Sequence, residues 1–127
     1  MIQAMKIPGP DHPITVTPSS DRVRVRVMLN GQAVADTTRA LVLREANYKP
    51  VFYIPREDAQ MTLFERTSHG THCPYKGDAS YYSIKLGGRL AENAVWSYET
   101  PYPAMREITG YLAFYPNRVD GIEVTPG

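Results

Sequence analysis

The run Arg22-Val23-Arg24-Val25-Arg26-Val27 alternates cation and β-branched apolar residue without a break, and Asn30-Gly31 follows two residues later. Alternation with period two puts the valines on one side of an extended chain and the arginines on the other. The stretch therefore predicts a half-buried strand with Val23, Val25 and Val27 inward. Asn-Gly adopts positive φ at both positions at little cost, the requirement of a two-residue type I′ hairpin turn. The chain should turn back there, with Ala33 to Asp36 running beside the first strand. A strand with one apolar face has to bury that face, so this feature points to packed sheets rather than to a helical bundle.

The rest of the chain repeats the theme. Thr38 to Glu45, Val51 to Ile54, Met61 to Arg66, Ser80 to Leu86, Ala94 to Tyr98, Tyr111 to Tyr115 and Ile122 to Val124 read as strands. Gly87-Gly88 suits a hairpin turn, and residues 67–78 read as a loop punctuated by glycine and proline. Arg56-Glu57-Asp58 reads as a turn or a single helical turn. Ala104 to Thr109 is the one expected helix, short, with Pro103 near its first turn and Gly110 as its stop. Four prolines between Met1 and Ser20 make residues 1–20 an extended lead-in, and residues 21–124 the β-rich core. With turns about every ten residues, the expectation is a mainly β, small antiparallel barrel or sandwich in a single domain spanning 1–127.

Composition narrows the function classes. At 127 residues with 43% apolar content the chain can fill one core. Fourteen Lys and Arg against thirteen Asp and Glu leave a formal charge of +1, without the broad positive field of a general nucleic-acid binder. One cysteine allows no internal disulfide and no zinc site built from paired Cys motifs, and it suits a reducing compartment. No apolar run reaches signal-peptide or membrane-span length, so a cytoplasmic location without a membrane partner is expected. Nine tyrosines favour partly wet sites, since the ring packs while the hydroxyl keeps a partner.

The residues with most chemistry lie in Thr71-His72-Cys73-Pro74-Tyr75-Lys76-Gly77-Asp78-Ala79-Ser80-Tyr81-Tyr82. Cys73 is a candidate nucleophile if a cation or imidazole lowers its thiol pKa, and a small packing residue otherwise. Lys76 beside Gly77 is a candidate anion contact or general base, against a surface ion pair with Asp58 or Asp78. His69, His72 and Cys73, with Asp78 or His12, form an incomplete ligand set, and neither a metal nor a cofactor is assigned. Trp96 and Tyr98 share one strand face with Ala94, and Val51, Tyr53 and Pro55 share another. Two such faces would make an aromatic wall. Arg44 and Asp58 complete the expected site as polar partners. The Arg22, Arg24 and Arg26 row reads as a solvated face. Gly-x-Ser-x-Gly and Asp-x-Asp patterns are absent.

Four segments in order, Tyr53-Ile54-Pro55-Arg56-Glu57-Asp58, Cys73 to Tyr81, Ala94-Val95-Trp96-Ser97-Tyr98 and Gly110-Tyr111-Leu112-Ala113-Phe114-Tyr115, resemble the domain of unknown function 427 family, found mostly in bacteria. The likeness runs from about Pro8 to Asp120. It implies a β-tent-like fold, in agreement with the strand pattern. Relatives of that fold often hold zinc through two Cys-x-x-Cys knuckles, and this chain has neither. The family also carries a nucleotidyltransferase-like label, but the acidic pair for Mg²⁺ and the Gly-Ser entry loop are missing here.

The function expected first is binding of a small anionic or planar metabolite in an aromatic-lined pocket formed by Arg44, Tyr53, Asp58, Lys76, Trp96 and Tyr98. The competing classes are an enzyme that uses Cys73 or Lys76 as nucleophile or general base, and a homodimeric protein-interaction module presenting tyrosines.

Overall fold

The computed structural model describes residues 5–20 and 22–126. Ten strands follow one another: β1 Ile14–Pro18, β2 Val23–Leu29, β3 Gln32–Thr37, β4 Leu41–Glu45, β5 Val51–Tyr53, β6 Phe64–Cys73, β7 Gly77–Leu86, β8 Arg89–Ser97, β9 Ala113–Phe114 and β10 Gly121–Pro126. They form three antiparallel sheets in the orders β1-β4-β5, β10-β2-β3 and β6-β7-β8-β9. The domain is mainly β, with a short 3-10 helix at Pro103–Ile108 and single 3-10 turns at Arg56–Asp58 and Met61–Leu63.

The Arg/Val run forms β2, and Val25 and Val27 are fully buried. Asn30 and Gly31 take φ of 52° and 79°, the double positive φ that a type I′ turn needs, and Leu29 pairs with Gln32 across it. The Gly87-Gly88 turn likewise has positive φ at both positions and joins β7 to β8.

The stretch read as a loop, residues 67–78, is instead a hairpin. Gly70 pairs with Ser80, Thr71 with Ala79, His72 with Asp78 and Cys73 with Gly77, and Pro74-Tyr75-Lys76 makes the turn. The register shifts between Arg66 and Gly70, so the glycine marks a bulge and the proline a turn. β6 lies at a sheet edge, where polar residues on both faces are tolerated, and its sequence lacks alternation for that reason. Two other boundaries move. Met61–Leu63 winds into a 3-10 turn instead of opening a strand, and the end of the proline-rich lead-in, Ile14–Pro18, pairs with β4.

One bridge, Ile54 with Leu112, joins the end of β5 to the start of β9 through hydrogen bonds of 2.7 and 2.8 Å. It connects two sheets into a seven-strand surface. One face of that surface (Tyr82, Ile84, Val95, Phe114) packs with Val25, Val27 and Leu29 of the third sheet in a first core. On the opposite face, Leu43 and Tyr53 meet Ala79, Tyr81, Tyr98, Met105 and Ile108 in a second core. Residues from both halves of the surface share this second cluster, so the surface curls around it and the short helix covers it. Among the described residues no pairing joins β1 to β6, and the curl stays open rather than closing into a barrel.

Candidate functional site

Register decides which expected site residues can meet. Leu41 pairs with Tyr53, Val42 with Phe52 and Leu43 with Val51. Leu41, Leu43, Glu45 and Tyr53 therefore share the face toward the second core, while Val42, Arg44 and Phe52 share the opposite face. Tyr53 and Arg44, expected to line one pocket, stand on opposite sides of the same sheet.

Tyr53, Lys76, Trp96 and Tyr98 do converge, in the second core. The Trp96 indole Nε1–H donates to Tyr53 Oη at 3.3 Å, and the rings meet edge-on with centroids 6.4 Å apart. Lys76 Nζ sits 6.0 Å from the Tyr98 ring centre and donates to Glu45 Oε1 at 2.6 Å and to Cys73 Sγ at 3.4 Å. The other Glu45 oxygen accepts from His12 Nε2 at 2.7 Å, and the His12 ring stacks on Tyr75 at 4.1 Å. Lys76 is 7% exposed. This is a filled cluster whose charges are matched from inside: a buried ammonium, a carboxylate and an imidazole in a row. Gly77 follows with φ of 111°, a backbone state unfavourable for other residues, as the chain leaves the turn.

The titration directions agree with that packing. Burial pushes the Tyr53 and Tyr98 hydroxyls well above the ordinary tyrosine value. Burial, then the hydrogen bond with Tyr81, raises Tyr115 to about 12. Burial works against the charged form of Glu45, but the hydrogen bonds from Lys76 and His12 outweigh it and hold the carboxyl below its usual range.

Asp58 lies apart. It accepts from Thr37 Oγ1 at 2.7 Å and from Arg39 Nη2 at 3.1 Å, tying the 3-10 turn to the end of β3. The three histidines are also separated: His12 holds Glu45, His72 holds Asp78 at 2.7 Å, and His69 lies against Tyr81 at 4.4 Å. Among the described residues no group of three His, Cys, Asp or Glu side chains is arranged to hold a metal ion. No helix among them is long and apolar enough to cross a membrane.

Open space lies on the other side of β4 and β5. A groove of about 620 Å³ runs between that face and the β2–β10 pair, walled by Val23, Val42, Phe52 and Val124, with Arg44 and Lys49 at its side. A second recess of about 270 Å³ adjoins it across the common wall Lys49-Pro50-Phe52 and reaches Val25, Val27, Ile54 and Trp96. Among the described residues, Arg44 and Lys49 form no ion pair. Eight of the other basic residues, Arg24, Arg26, Arg39, Arg56, Arg66, Lys76, Lys85 and Arg89, do. Arg44 reaches only Thr17 Oγ1, at 3.5 Å. The Ser19 hydroxyl, also at this groove, is buried without a partner.

Lys49 and Phe52 escaped the sequence reading. Parity in Val51-Phe52-Tyr53 groups the two residues flanking Phe52, whereas Phe52 itself shares the opposite face with Val42 and Arg44. Of the expected residues, Arg44 and Trp96 line the open space, each in a different recess.

A family model described as Domain of unknown function (DUF427) matches residues 15–125. No curated protein matches the chain.

Proposed function

The chain belongs to the domain of unknown function 427 family, a membership that names no activity, and we propose that it binds a small anionic metabolite in the groove between β4–β5 and β2–β10. The observation that carries the reading is the pair Arg44 and Lys49. Two cations without carboxylate partners among the described residues stand beside an apolar wall, in a molecule where eight of the other twelve basic residues are ion-paired. With a net charge of only +1, attraction for an anion has to be local. The Ser19 hydroxyl lies sealed beside the groove without a partner. Phe52 supplies the aromatic surface for a planar portion. The single cysteine suits a reducing interior, and the ligand is a cytoplasmic metabolite on this reading.

Calorimetric titration with benzoate and with its neutral analogue benzamide tests the proposal. Benzoate is expected to bind, and Arg44→Met/Lys49→Met to weaken it tenfold or more, the roughly 1.5 kcal/mol lower end for charged hydrogen bonds. Both residues are exposed, so the double variant should keep wild-type stability within about 0.5 kcal/mol. Equal benzoate affinity in the two proteins, or none in either, would overturn the reading.

A further inference from the structure

The two recesses differ in character, and the difference bears on the class of ligand. The outer groove carries Arg44 and the buried Ser19 hydroxyl. The inner recess is walled by the partly exposed Val51, Phe52, Trp96 and Ile122 and floored by the buried Val25, Val27, Ile54 and Phe114. Its volume of about 270 Å³ is well above the ~150 Å³ of an apolar cavity that accepts benzene. Lys49 borders both recesses, and neither is lined by an Asp or Glu among the described residues.

We propose that the ligand is a free single-chain alkyl carboxylate, with its carboxylate at Arg44 and Lys49 and its chain crossing the Lys49–Phe52 wall into the inner recess. This deepens the anion-binding reading above and rests on it. The head group places its single negative charge between two cations, and the tail removes water from a recess that offers it few polar partners. Polar head and apolar tail have to lie on opposite sides of Phe52, which fixes the direction of insertion.

The test is a homologous series of linear carboxylates, butanoate to dodecanoate, titrated into the full chain by calorimetry, with benzoate as a short reference. Affinity is expected to rise about threefold to fourfold for each methylene that enters the inner recess, and then to level off. Ile122→Phe narrows the recess from β10. It should bring the levelling to a shorter chain. If short carboxylates and benzoate bind through Arg44 and Lys49 but affinity is flat with chain length, the alkyl-chain assignment fails and the anion site stands. If no carboxylate binds, both fail. Should Ile122→Phe not fold, the wild-type series still decides. Sedimentation with phosphatidylglycerol vesicles separates the sources: the protein is expected to stay in solution, and pelleting that Arg44→Met abolishes would assign the groove to a membrane lipid instead.

Discussion

At the scale of single residues, Lys76 contributes to stability through the charge it matches. The Lys76 and Glu45 side chains are 9% and 13% exposed, with the ammonium 2.6 Å from the carboxylate. Lys76→Met would leave the half-buried Glu45 with only His12 as partner. The expected loss is about 3 kcal/mol in urea unfolding, the lower end for breaking a buried pair. Glu45→Gln in the same chain should recover part of it, because the stranded charge is then gone. Cys73→Ala should cost less than Lys76→Met, since it removes a small, half-buried side chain and no charge. The tyrosines give an independent readout. Tyr53 and Tyr98 have folded-state values raised by burial above the unfolded value of about 10. Their contribution is complete below pH 10 and fades as pH climbs past it. Absorbance titration of the native protein should show Tyr53, Tyr98 and Tyr115 ionising only well above pH 10 or on unfolding.

At the scale of elements, the β6–β7 hairpin is the place where local sequence and structure part. Gly77 has φ of 111°, and a Cβ there would meet Pro101 Cα and the Tyr102 nitrogen at 3.5 Å, an ordinary contact. The backbone state alone therefore sets the cost of Gly77→Ala, about 1–3 kcal/mol by denaturant unfolding. Strands with one buried face, such as β2, were legible because burial enforces alternation. β6 was not, because an edge strand with both faces largely wet carries no such pattern, and Gly70 and Pro74 look the same in a bulge, a turn or a loop. The site divides along the same line. That Tyr53, Lys76, Trp96 and Tyr98 meet was legible from parity and clustering. That Arg44 faces away from them was not, because the register of β4 against β5 joins residues about ten apart through a turn whose geometry the sequence leaves open.

At the scale of the whole molecule, carboxylates set the acid limit. Glu45 and Glu99 are both held below the usual glutamate range. In each case burial opposes ionisation and hydrogen bonds outweigh it, from Lys76 and His12 for Glu45 and from Ser80, Tyr82 and Arg66 for Glu99. A depressed folded value contributes stability that is present above the unfolded pKa of about 4.3 and is lost as pH falls through the folded value. Melting temperature should therefore hold steady from pH 7 to about 5 and drop steeply below 4, and Glu45→Gln should flatten the drop. The pairing of β10 with β2 has a consequence in time. Val124 and Val25 face each other across about a hundred residues of intervening chain. At 5–20 residues per second a ribosome needs about 5–20 s to deliver that span. During that interval the β2 edge is bare and the wall that Val124 gives the groove does not exist. A nascent chain of this protein is therefore expected to lack the proposed anion groove until β10 has been made, and an anion present throughout synthesis would stabilise only the chain in which β10 has paired with β2.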